Sequence, residues 1–251
     1  MRTRGPSAGE RETPEPSRMV SSAQLAAEDV PEIPPTIRTS DLDRRILADL
    51  RGLSKEHAEW IALHLASAAR LMDSEPELAY RHARTAADRA GRVAVVRETA
   101  GIAAYLTGRF AEASRELRTY RRLAGAQEHL PILADCERGL GRPDRAIDLA
   151  NSPEGRGLRG AEAIEMVIVL AGARSDLGEF DAALALLRRT ERSVAEDPEA
   201  IASLTEARQR VEALAAGGDR DVIDAPIPIE PLLDEEDDGD VALYDAEEGA
   251  W

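Results

Sequence analysis

Three glycines constrain what this chain can fold into. The segments LTGRFAEASREL (106–117), GLGRPDRAIDLA (139–150) and DLGEFDAALALL (176–187) set Gly108, Gly141 and Gly178 among good helix formers. Glycine inside a helix costs about 0.8–1.0 kcal/mol relative to alanine, so its return at one place in a pattern marks a turn. Two residues after each glycine comes a ring (Phe110, Pro143, Phe180), and five after it an alanine (Ala113, Ala146, Ala183). Seven before it lies a small residue: Gly101, Ala134 or Ala171. A further copy, LMDSEPELAYRHA (71–83), has Ser74 in the glycine's place, Pro76 in the ring's, Ala79 in the alanine's and Ser67 as the small residue. The anchors 74, 108, 141 and 178 stand 34, 33 and 37 residues apart, which defines a repeat of about 34.

Two antiparallel helices joined by a short turn need a residue that accepts positive φ after the first helix, and glycine does so without steric cost. Small residues on the facing helices let the backbones approach. The ring then packs near the turn, and Pro76 and Pro143 suit the first turn of a helix. Over 110–124, Phe110, Ala113, Leu117, Tyr120 and Ala124 fall on one helical face. Each pair stays apolar on a second side, so stacking pairs completes the core.

Composition agrees with an all-α chain, because aromatic residues are only 3% of it and sheets favour aromatic and β-branched side chains. Cys136 is the sole cysteine, so no intramolecular disulfide forms and nothing calls for an oxidising compartment. The charged, proline-containing start has no apolar core of a secretory signal, and the apolar run 166–173 is far short of the roughly 20 residues of a spanning helix. A cytoplasmic protein without membrane contact is expected. The net charge of −16 is uneven: residues 219–251 hold 13 acidic residues and one arginine, so most of the charge lies there.

Three segments follow. Residues 1–39, rich in proline, serine and charge, are expected to be disordered. A helical repeat domain spans 40–218, opening on a helix capped by Ser40 or Asp41 with Leu42, Ile46, Leu47 and Leu50 in register, and a second start at Ser54. Residues 198–218 read as a last helix ending at Gly217 and Gly218, either a cap or half of a fifth repeat. The acidic tail, 219–251, is expected to be disordered.

With these features the chain resembles the tetratricopeptide repeat family from about 55 to 195. That family pairs a small residue in the first helix with alanine and a bulky apolar residue in the second, here Gly101 with Ala113 and Leu117, and Ala171 with Ala183 and Leu187. The large aromatic near each repeat start is missing in most copies, Ala150 replaces a bulky side chain, and NSPEGRGLRG (151–160) lengthens one connection. The phrases VAVVRETAGIAAYLTGRF and HLPILADCERGLGRP resemble uncharacterised tetratricopeptide proteins of actinobacteria. The resemblance implies an α-α superhelical solenoid of about four hairpins that binds protein and catalyses nothing.

It also implies that first helices line a concave groove, which would place there Ile61, His64 and Ala68, then Glu98, Ile102 and Tyr105, then Asp135 and Arg138, then Glu165, Ile168 and Ser175. Lysine and asparagine, which clamp a terminal carboxylate in some members, occur at none of these positions. A solvated helix face is the plain alternative.

On 110–124, Arg115, Arg118 and Arg122 form a basic stripe opposite the apolar face, flanked by Arg109 and Arg121 and thickened by Arg81, Arg84, Arg89 and Arg92. It reads as a solvated outer face balanced by Glu112 and Glu116, or as an RNA-binding surface that would make the chain an RNA- or ribosome-associated factor. In the tail, Ile227, Ile229, Leu232, Leu233, Leu243, Tyr244 and Trp251 punctuate the acids, which suits either plain solubility or a linear motif that docks on a partner or on the stripe. His57, His64, His82 and His129 form no metal-type pair with another His or Cys at helical spacing, Cys136 reads as a packed small residue, and Gly155, Gly157 and Gly160 lack the strand and lysine of a phosphate loop. No catalytic residue, metal or cofactor is expected. The partner is a protein of unknown identity, with nucleic acid as the alternative.

Overall fold

A computed structural model describes residues 30–125 and 128–218. Readings made for 1–29 and for the acidic tail lie outside the described residues. Among these residues the chain is all-helical. Its helices are α1 (Arg44–Asp49), α2 (Lys55–Leu71), α3 (Pro76–Ala90), α4 (Ala94–Leu106), α5 (Phe110–Ala124), α6 (Leu130–Gly139), α7 (Pro143–Ala150), the short α8 (Pro153–Arg156), α9 (Gly160–Asp176), α10 (Phe180–Ser193) and α11 (Pro198–Ala215).

The three glycine turns are copies of one another. Gly108, Gly141 and Gly178 have φ of 72°, 70° and 78°. In each, the glycine N–H bonds the carbonyl three residues back (Tyr105, Arg138, Ser175) and the next N–H bonds the carbonyl five residues back (Ala104, Glu137, Arg174), at 2.8–2.9 Å. These paired bonds satisfy helix-end carbonyls that would otherwise lack donors. Gly217 closes α11 in the same way, with φ of 87°. Ser74 breaks the pattern: it keeps negative φ, and the α2–α3 reversal is made by the Glu75 N–H bonding the Leu71 carbonyl at 2.8 Å before Pro76 opens α3.

Hairpins α2/α3, α4/α5, α6/α7 and α9/α10 follow one another, each helix packing on its chain neighbours, and α9 also packing on α6, α7 and α11. Small residues set the spacing. A Cβ on Gly101 would lie 2.6 Å from Leu117 Cγ, and Ala134, Ala146, Ala171, Ala183 and Leu187 are wholly buried. Phe110 packs edge-on to Tyr105 and over Gly139, where a Cβ would come within 2.3 Å of the ring. One ring thus joins the turn of its own hairpin to the next. The long connection is folded: Ser152 Oγ accepts the Gly155 N–H at 3.0 Å, and Leu158 is buried in the core of the α4–α9 region.

The start of the domain departs from the sequence reading. Asp43, not Ser40 or Asp41, caps α1, its carboxylate accepting the Arg45 N–H at 2.6 Å, while Asp41 accepts the Arg38 N–H at 2.9 Å in a 3-10 turn. Ile33, Ile37, Leu42 and Leu50 pack into the same core as Ile61 and Leu65. The folded body therefore begins ahead of residue 40. No helix among the described residues is long and apolar enough to cross a membrane.

Gly108→Ala is expected to lose about 1–2 kcal/mol in urea unfolding from its left-handed φ alone, since no atom within 4 Å would meet the added methyl. Gly101→Ala should also lose stability, by crowding Leu117, despite the better helix propensity of alanine.

Candidate functional site

Helices α4, α6 and α9 carry a row of charged and polar side chains linked from one hairpin to the next. Tyr105 on α4 donates its hydroxyl to Asp135 on α6 at 2.5 Å. Asp135 also accepts from Arg138 Nη1 at 2.7 Å, and Arg138 reaches Asp176 on α9, Nε to Oδ2, at 2.9 Å. Room for that guanidinium comes from Gly172, where a Cβ would lie 2.6 Å from Arg138 Cζ. Nearby, His129 Nε2 lies 2.6 Å from Glu98 Oε1, and the His129 N–H donates to Glu162 on α9 at 3.3 Å. Burial, with Glu162 adding repulsion, pushes the Glu165 carboxyl up to about 7.

Of the expected groove residues, Glu98, Ile102, Asp135, Arg138 and Glu165 are half-buried along this row. Ile61, His64, Ala68, Tyr105, Ile168 and Ser175 are instead in the interior. For Ile61 the cause is the segment 31–53, whose apolar residues cover α2. Tyr105 still reaches the row through its hydroxyl. His64 pairs with His82 across the first hairpin, Nδ1 to Nδ1 at 2.9 Å, both rings fully buried and the Trp60 ring edge-on to His64 at 4.2 Å. The participation of Glu128, His129, Glu162 and Asp176 was not read from the sequence. The only local sign was a Glu128–His129 pair just ahead of a helix, since the carboxylates that meet His129 lie more than thirty residues away.

Across the molecule's second helices lies an open groove of about 590 Å³ between α5 and α7, lined by Arg115, Arg118, Arg122, Arg142 and Arg145. All five are exposed. The stripe residues Arg115 and Arg118 are anchored by glutamates that are themselves buried: Arg115 meets Glu116 at 3.1 Å, and Arg118 meets Glu137 at 2.9 Å, which Arg142 approaches at 3.5 Å. Arg97 also bonds Glu116. Glu116 is thus a buried organiser of the arginines and not a counter-charge on the outer face. Arg122 and Arg145 have no carboxylate partner among the described residues. The flanking arginines are engaged elsewhere, Arg109 with Glu77 at 3.0 Å and over the Tyr80 ring, Arg84 with Glu112 at 2.6 Å, and Arg89 over the Trp60 ring. Cys136 is wholly buried, and burial pushes its thiol up to about 12, so it is protonated and unreactive at neutral pH.

No family model matches the chain, and no curated protein and no solved structure is significantly similar to it.

The histidine pair generates a pH dependence. Burial, then the neighbouring charges, holds both rings at about 4 against an ordinary 6.5. The unfolded chain therefore binds protons that the fold excludes, so stability present above pH 6.5 is lost as pH falls toward 4, by on the order of 3 kcal/mol for each ring. Glu165, raised in the fold, acts with the opposite sign between its ordinary 4.5 and about 7. Unfolding free energies of the wild type and the His64→Leu/His82→Leu variant across pH 4–8 separate the two: the variant should lose the decline toward low pH.

Proposed function

We propose that this chain is a non-enzymatic adaptor built on tetratricopeptide-like repeats that stack as a short right-handed solenoid and bind a protein partner along their first helices. The observation that carries this reading is the half-buried row Glu98, Asp135, Arg138, Glu165 and Asp176, which continues over three successive first helices. A linked array of both charges, held rigid by packed helices, offers a long stretch of directional contacts. The three identical glycine turns support the repeat assignment, because the same hairpin brings a new segment of this face into line at each step.

The arginine groove favours a second element of the same function. Residues 219–251 carry a net charge of −12, and five exposed arginines line one groove of the body. We propose that the acidic tail competes there with other polyanions, which makes the groove a regulated surface. The alternative, an RNA- or ribosome-associated factor, draws on the same arginines.

Photo-reactive residues placed at Ile102 and at Arg122 in cells distinguish these readings. The adaptor reading expects a discrete protein adduct from position 102, whereas adducts to RNA from position 122 alone would support the alternative. Retention on heparin tests the tail: removing residues 219–251 should raise the salt needed for elution, and an RNA-binding groove should also show a slope near −0.7 in log K against log salt per phosphate contact. An unchanged elution profile after removal contradicts competition by the tail.

A further inference from the structure

His129 is the one described non-glycine residue with a left-handed backbone, φ 61°. It precedes α6 and is 5% exposed. That conformation is costly for a side-chain-bearing residue, and such outliers persist where the surroundings hold them. Here Glu162 accepts the His129 N–H and Tyr120 packs against the ring at 5.5 Å between centroids. The ring is aimed into a set of carboxylates. Nε2 faces Glu98 at 2.6 Å, while Nδ1 is buried with no partner among the described residues. Glu128, next in the chain, meets the Tyr120 hydroxyl. One donor atom from each of Glu98, Glu128 and His129 lies within 4.8 Å of the others.

Behind these three stand Glu162 and Glu165 on α9. Four glutamates thus surround one imidazole, with the Arg121 guanidinium acting on Glu162. The donors come from α4 and from the approach to α6, so helical spacing could not reveal them.

The geometry points to a divalent metal site in which Glu98, Glu128 and His129 are the protein ligands. The donor set chooses the class of ion. An imidazole with carboxylates suits zinc and its neighbours, whereas calcium and magnesium take oxygen donors. Three protein ligands are also the number that zinc takes where one position stays open to water. Glu128 is the exposed member and supplies the adjustable ligand. Glu162 holds His129 from behind through its backbone N–H, a positioning role. Such an ion would tie α4 to α6 at the polar row and so stiffen it. The site does not depend on the adaptor reading, since it is tested on the purified chain without a partner.

The experiment is calorimetric titration of the full chain, freed of metal by a chelator, with Zn²⁺, and in parallel with Ca²⁺ and Mg²⁺. One Zn²⁺ per chain is expected, with a higher melting temperature in its presence. Glu98→Gln and Glu128→Gln should each weaken binding by at least about tenfold, and His57→Gln should leave it unchanged. Glu128 is exposed, so its variant folds even if a change at His129 does not. Absence of saturable Zn²⁺ binding overturns the proposal. So does binding that survives both glutamine variants, which would place the ion elsewhere, such as on the acidic tail, or a preference for Ca²⁺ or Mg²⁺.

Discussion

The rest of the fold depends on how three helices stop. At Gly108, Gly141 and Gly178 the chain enters the left-handed region, two orphan carbonyls receive their bonds, and the next helix begins two residues later. A residue with a Cβ resists that conformation, and a longer loop would let the helices splay. The close contact of Gly101 with Leu117 follows, because the backbones can approach only if the turn returns the second helix directly onto the first. From that approach comes a core made largely of alanine and leucine, with outer faces on the first and second helices of the hairpins.

Those faces are organised by the same device at different depths. On the first-helix side, Arg138 lies across Gly172 and ties Asp135 to Asp176, so polar groups of separate hairpins hold a common geometry. On the second-helix side, buried Glu116 and Glu137 fix Arg115 and Arg118 from below. A buried carboxylate is stable only when paired and hydrogen-bonded, so Arg115 and Arg118 are each tied to the core through the guanidinium. Pre-ordering of this kind lowers the entropy cost of meeting an anionic ligand. The half-buried row and the Arg115–Arg118 part of the groove are therefore held by the hairpins beneath them, while Arg122 and Arg145 extend from α5 and α7 without a carboxylate partner among the described residues.

Much of the scaffold was legible because its signals are local. The glycine, the ring two residues on and the alanine five residues on all lie within one turn and one helix, and the α5 boundaries, Phe110–Ala124, follow from the apolar stripe. Ser74 misled the pattern since serine at that position solves the reversal with negative φ and no left-handed turn. The site was less legible for a physical reason. Whether a residue on a first helix faces solvent depends on what covers it, and Ile61 is covered by the segment 31–53, whose docking on α2 leaves no mark in the spacing of α2 itself. His64 found His82 eighteen residues on, and His129 found Glu98 thirty-one residues back. Spacing along one helix contains no trace of such meetings.

The three turns are one repeated left-handed device on which the packed hairpins rest. The most direct measurement uses chirality: D-alanine and L-alanine introduced in turn by semisynthesis at 108, 141 and 178, with unfolding free energies compared at each position. A D-residue favours positive φ and narrows the unfolded ensemble, so each D-alanine should match or exceed the glycine, by up to about 1 kcal/mol, while each L-alanine falls below it. Equal effects of the two enantiomers, or a different order at one of the three positions, would contradict the account.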